Sequence, residues 1–61
     1  MTKKDIIMVA KKHKLMESLY IMYRIYKNIG YKNPIGLILW LNQEKTEEEY
    51  VDWLLKAKEY K

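Results

Sequence analysis

His13 is the only imidazole in the chain, and Glu17 follows it at one helical turn. A histidine and a carboxylate at that spacing share a helix face. Together they could form half of a metal site or the base of an acid–base pair. A zinc centre takes four donors, and with no cysteine in the chain both thiolate ligation and disulfides are excluded. His13 therefore reads as an exposed polar residue in a basic segment. Ser18 has no base beside it and reads as a small residue at a helix contact. Glu48 and Asp52, again one turn apart, could hold a cation, but negative charge early in a helix complements the macrodipole without one. The expectation is a non-enzyme with no cofactor, no metal and no small-molecule substrate.

A second chemistry is charge. Residues 1–33 hold eight lysines and arginines against two carboxylates, whereas residues 34–61 hold four lysines against six. Lys3, Lys4, Lys11, Lys12 and Lys14 crowd the first fourteen positions. A handful of lysines gives salt-sensitive, sequence-independent affinity for nucleic acid; the plainer use of such a run is a solvated face. Sequence-specific reading of DNA is disfavoured. The helix that would enter the groove begins Thr46-Glu47-Glu48-Glu49, which turns carboxylates toward phosphates. Tyr20, Tyr23 and Tyr26 could stack bases but lie beside an apolar seam, where tyrosines edge a core. Trp40 and Trp53 are expected as core anchors, although tryptophan is also common at interface hot spots.

Three helices would have to position these residues. Thr2 with Asp5 forms a short capping box, Gly30 suits the left-handed residue that ends a helix, and Asn33-Pro34 supplies an N-cap followed by proline at the first helical position. Thr46 with Glu49 is a second capping box, with Lys56, Lys58 and Lys61 at the far end of its helix. These signals predict an all-α single domain over 1–61, with helices at about 3–29, 34–43 and 47–60. Met8, Leu15, Met22 and Ile29 recur every seven residues and form the core seam with Leu19 and Tyr26 between them; Met16, Tyr20 and Tyr23 widen it. The middle helix is apolar on every side and is expected to be the most buried, with Gly36 permitting close approach of the first. An unbroken 3–29 helix would be about 40 Å long, and its first turns would project beyond a folded-back pair. A break at Lys11-Lys12-His13-Lys14 would relieve this and give four helices. The unbroken form is the reading adopted.

Ile7, Lys11, Lys14, Ser18, Ile21, Ile25 and Asn28 follow in steps of four and three on that helix. They make a second stripe, basic at its start and aliphatic at its end. A chain of sixty-one residues is one domain, and at this size burial only just exceeds ordering entropy. With disulfides excluded, dense packing or a partner must widen that margin.

The functional expectation is accordingly a binding module. It is an accessory subunit or adaptor docking on a larger protein, such as a nucleic-acid-processing complex, or a homodimer. The expected interface is Ile7, Ser18, Ile21 and Ile25. Direct nucleic-acid binding through Lys3, Lys4, Lys11, Lys12 and Lys14 is the alternative. No apolar run is long enough to span a bilayer, and the Tyr20–Tyr26 stretch lacks the polar face of a surface-lying helix. No signal peptide is read at the N-terminus, so a cytoplasmic setting is expected. The lysine- and glutamate-rich, glutamine-poor composition suits a thermophilic archaeon or its virus, and equally an AT-rich genome.

Overall fold

The computed structural model describes residues 1–60; Lys61, expected to complement the last helical turn, lies outside them. The domain is all-α. Its helices are α1 (Lys3–Lys12), α2 (Met16–Ile29), α3 (Pro34–Asn42) and α4 (Glu47–Ala57), followed by a 3-10 turn, Lys58–Tyr60. Among the described residues there are thus four α-helices where three helices were expected. The long first helix is broken at its basic segment.

The break has a definite mechanism. Lys14 adopts a left-handed backbone, φ +57°. Its N–H bonds the Lys11 carbonyl at 3.1 Å, and the Leu15 N–H reaches back to the Ala10 carbonyl at 2.7 Å. This pair of bonds is the Schellman ending, which satisfies carbonyls the helix would otherwise leave open. The left-handed conformation costs a non-glycine residue roughly 1–2 kcal/mol. Against that, the turn lets Ile6, Val9 and Leu15 be buried together, each worth roughly 1.5–3 kcal/mol. Burial wins. The domain measures 28 × 23 × 15 Å, too short for an unbroken first helix.

The same ending recurs after α2. Gly30, at φ +121°, donates to the Lys27 carbonyl, and the Tyr31 N–H reaches the Tyr26 carbonyl at 3.1 Å. Tyr31 then sets its ring edge-on to Tyr26, centroids 6.1 Å apart, the apolar clasp that accompanies this motif.

Both expected capping boxes form. Thr2 accepts from the Asp5 N–H while Asp5 accepts from Thr2; Thr46 and Glu49 do the same at the start of α4. Asn33 accepts from the Gly36 N–H at 3.1 Å, with Pro34 at the first position of α3. Gly36 therefore makes room for a cap rather than for another helix. A Cβ there would sit 2.5 Å from the Asn33 amide nitrogen.

The core gathers Ile6, Val9 and Ala10 from α1, Leu15, Leu19 and Met22 around α2, Ile38 from α3, and Tyr50, Leu54 and Ala57 from α4. Tyr50 is fully enclosed and donates its hydroxyl to the Ile6 carbonyl at 3.1 Å, tying α4 to α1. Burial pushes its hydroxyl pKa up to about 12. Buried Asn42 donates to the Ile38 carbonyl at 2.8 Å near the end of α3. Met1 donates its amino group to the Gln43 carbonyl, closing the N-terminus onto the loop between α3 and α4.

Of the expected seam, Leu15, Leu19 and Met22 are buried. Met8, 54% exposed, is carried out of line by the Lys14 turn, which resets the helical phase between α1 and α2, while Ile29, 68% exposed, is the last residue of α2 and lies outside the core cluster. Tyr20 also points outward rather than widening the core. As expected, α3 is the helix with the smallest share of exposed residues, two of nine. It turns Pro34, Ile38 and Asn42 inward and leaves Trp40 64% exposed, so Trp40 does not anchor the core. Trp53, half-buried, stacks on Tyr50 with centroids 6.0 Å apart, and the Lys45 ammonium lies over its ring.

Candidate interaction surface

The Schellman turn brings the basic segment onto α4. His13 Nε2 and Lys12 Nζ each stand 3.0 Å from the same oxygen, Oε2 of Glu47. Glu47 opens α4, so this cluster clips the end of α1 to the start of α4. The His13 hydrogen bond, followed by that of Lys12, holds the Glu47 carboxyl below the usual carboxylate range. His13 is exposed, as expected, and meets a carboxylate 34 positions away in the sequence. The groups this contact joins are the ends of two helices. Among the described residues, no group of three histidines or carboxylates stands close enough to hold a metal ion.

The five lysines do not behave alike. Lys12 is engaged by Glu47; Lys3, Lys4, Lys11 and Lys14 are exposed, with no ion pair among the described residues. Lys14 leaves the helical line, because its left-handed turn sits between α1 and α2. Lys11 and Lys12 border a shallow depression beside Met8 and Val9 on α1, with Glu47 facing them from α4.

The four expected interface residues are also divided. Ser18 is fully enclosed, which removes it from any outward face. Ile7 is half-buried on α1, on the other side of the Lys14 turn, so the proposed stripe is not a single straight line. Ile21 and Ile25 remain together, one turn apart and half-buried on α2. They line an open depression of about 1080 Å³. Tyr20, Arg24 and Lys27 of α2 also line it, and Tyr60 reaches it from the 3-10 turn. Ile25 packs partly against the core; Ile21 does not belong to that cluster.

Chemically this is an apolar floor beside aromatic and cationic groups. Aromatics and arginine are enriched where proteins meet, while lysine is depleted at the centre of such patches. Glu17 adds one carboxylate to the lining. Tyr60 was absent from the sequence-level surface because only the fold carries the C-terminal turn onto α2.

Sequence reasoning also missed the outer side of α3. That helix, Pro34–Asn42, carries no charged residue, so whichever side faced outward had to be apolar. The uniform apolarity was itself the available signal. No helix is long and apolar enough to cross a membrane among the described residues.

No protein-family model matches this chain, and comparison with curated proteins and with solved structures finds none similar to it. The reading of function rests on the surface described above.

Proposed function

We propose that the protein is a non-enzymatic interaction module, a small accessory subunit or adaptor that meets another macromolecule through the α2 face carrying Ile21 and Ile25. The observation that carries this reading is the composition of the depression there. Two isoleucines form its floor, with Tyr20, Tyr60 and Arg24 beside them. A domain of this size has little stability margin, and covering half-exposed isoleucines widens it.

A pull-down with tagged full-length chain from its native host, followed by mass measurement of what co-purifies, tests the reading. Ile21→Glu should release the partner while the circular dichroism of the variant stays helical. Tyr20→Glu, at an exposed position, serves as a second variant that leaves the core untouched. Retention of the same partner by both folded variants would contradict the proposal.

Direct nucleic-acid binding is the second reading, favoured by the exposure of Lys3, Lys4, Lys11 and Lys14 without ion pairs among the described residues. Affinity would then fall steeply between low and moderate salt, and charge reversal at Lys11 would weaken it. A flat titration with both duplex and single strands would end this alternative.

A further inference from the structure

We infer that the occupant of the α2 face is a second copy of this chain, seated by its α4. This rests on the reading of α2 as the contact face and names its partner. The argument is complementarity between two exposed surfaces of one molecule. Along α2, Ile21 and Ile25 lie beside the cations Arg24 and Lys27. Along α4, Glu48, Asp52 and Leu55 succeed one another in steps of four and three residues, which places them on one side of the helix. All three are exposed, Leu55 by 48%, and Glu59 follows Leu55 by four residues in the 3-10 turn. One face offers isoleucines beside cations, and the other a leucine among carboxylates.

The wider charge distribution points the same way. A chain of net charge +4 repels its own copies on average. Contact between its most acidic helix and a basic one turns that repulsion into local attraction. α4 carries Glu47, Glu48, Glu49 and Asp52 against Lys56 alone, whereas α2 carries Arg24 and Lys27 against Glu17.

Area then favours a reciprocal contact over a single one. A stable interface buries about 800 Å² per partner, about a sixth of the 4537 Å² this chain exposes. A single helix face about 21 Å long and about 10 Å wide falls well short of that. Using the contact twice, each α2 against the partner's α4, raises it to about 400 Å² per partner and gives an isologous dimer of the weak, transient class. α2 and α4 pack directly on one another within the chain, so both contributing helices are neighbours.

Sedimentation equilibrium on the full chain, at low and at physiological ionic strength, provides the test. The expected result is a dimer that weakens as the screening length shrinks from about 30 Å to about 8 Å. An exposed pair is worth about threefold in affinity and occurs twice in the dimer, so Arg24→Glu and Asp52→Lys should each weaken association roughly tenfold. An equimolar mixture of the two variants should recover wild-type affinity, because each altered face then meets its opposite. A wild-type chain that stays monomeric, a dimer indifferent to both variants, or a mixture without recovery overturns the inference. If the chain is monomeric yet captures a different host molecule in an Ile21-dependent way, the second copy is refuted and the α2 reading stands. If Ile21→Glu also leaves that capture intact, both fall.

Discussion

Replacing Lys14 by glycine should stabilise this protein, and an unbroken first helix would require the opposite. In the structure Lys14 sits at φ +57° between α1 and α2, a conformation costing a residue with a Cβ roughly 1–2 kcal/mol. Glycine removes that cost but gives back roughly 0.5–1 kcal/mol through the greater freedom of its unfolded chain. The balance is a gain of about 0.5–1 kcal/mol. Lys14→Ala is the proper reference, since it removes the same charge and keeps the Cβ strain. In a continuous helix, glycine would instead be about 1 kcal/mol less stable than alanine. The two structures therefore differ in the sign of one number. For a domain of this size, 1 kcal/mol moves Tm by roughly 4–8 °C, so the Lys14→Gly variant should melt about 2–8 °C above Lys14→Ala. Thermal unfolding followed by far-ultraviolet circular dichroism in one buffer measures the difference. A Lys14→Gly variant that melts below Lys14→Ala refutes the Schellman turn and the four-helix fold with it.

Two further outcomes follow from burial. Trp40→Ala should change unfolding free energy by less than about 1 kcal/mol, because most of the indole is already in water, whereas Leu54→Ala should cost about 2–5 kcal/mol; denaturant titration of both variants decides it, and a Trp40→Ala cost matching that of Leu54→Ala would mean that α3 is turned the other way. At alkaline pH the buried Tyr50 hydroxyl, with its pKa raised to about 12, keeps its proton after the unfolded chain has lost its own near pH 10. The unfolded state then binds fewer protons than the native one, so stability present below pH 10 is lost between about pH 10 and pH 12, by roughly 2–3 kcal/mol. Tyr50→Phe should flatten that decline, and an unchanged alkaline slope in urea titrations would show that the hydroxyl is not buried.

Where helix ends are marked by side-chain chemistry, the sequence was readable. Thr2, Thr46 and Asn33 cap the helices they were expected to cap, and Gly30 ends α2. The same Schellman ending at Lys14 was not readable, because lysine carries no preference for a left-handed backbone. The case for that turn was global, resting on the length of an unbroken helix against the compactness of the rest. Once the turn is missed, helical phase is carried wrongly across it. Ile7 and Met8 were misplaced for that reason, while Ile21 and Ile25, within one true helix, kept their relation. Ser18 shared their line but is small enough to be enclosed. The Glu47 contact with Lys12 and His13 joins residues about 35 positions apart, which no local spacing encodes. Which side of α3 faces water was equally hidden, since a helix apolar all round offers no moment to orient it.

The proposal that this chain meets another molecule through α2, rather than through the lysines of α1 or the indole of α3, is tested most directly by photo-crosslinking in the native host. A photoreactive side chain would replace Tyr20, Lys11 or Trp40 in three otherwise identical full-length chains. All three positions are exposed, so none disturbs the core. The account predicts a discrete crosslinked product from the Tyr20 position that disappears when Ile21→Glu is added. Products from Lys11 or Trp40 with none from Tyr20 would contradict it.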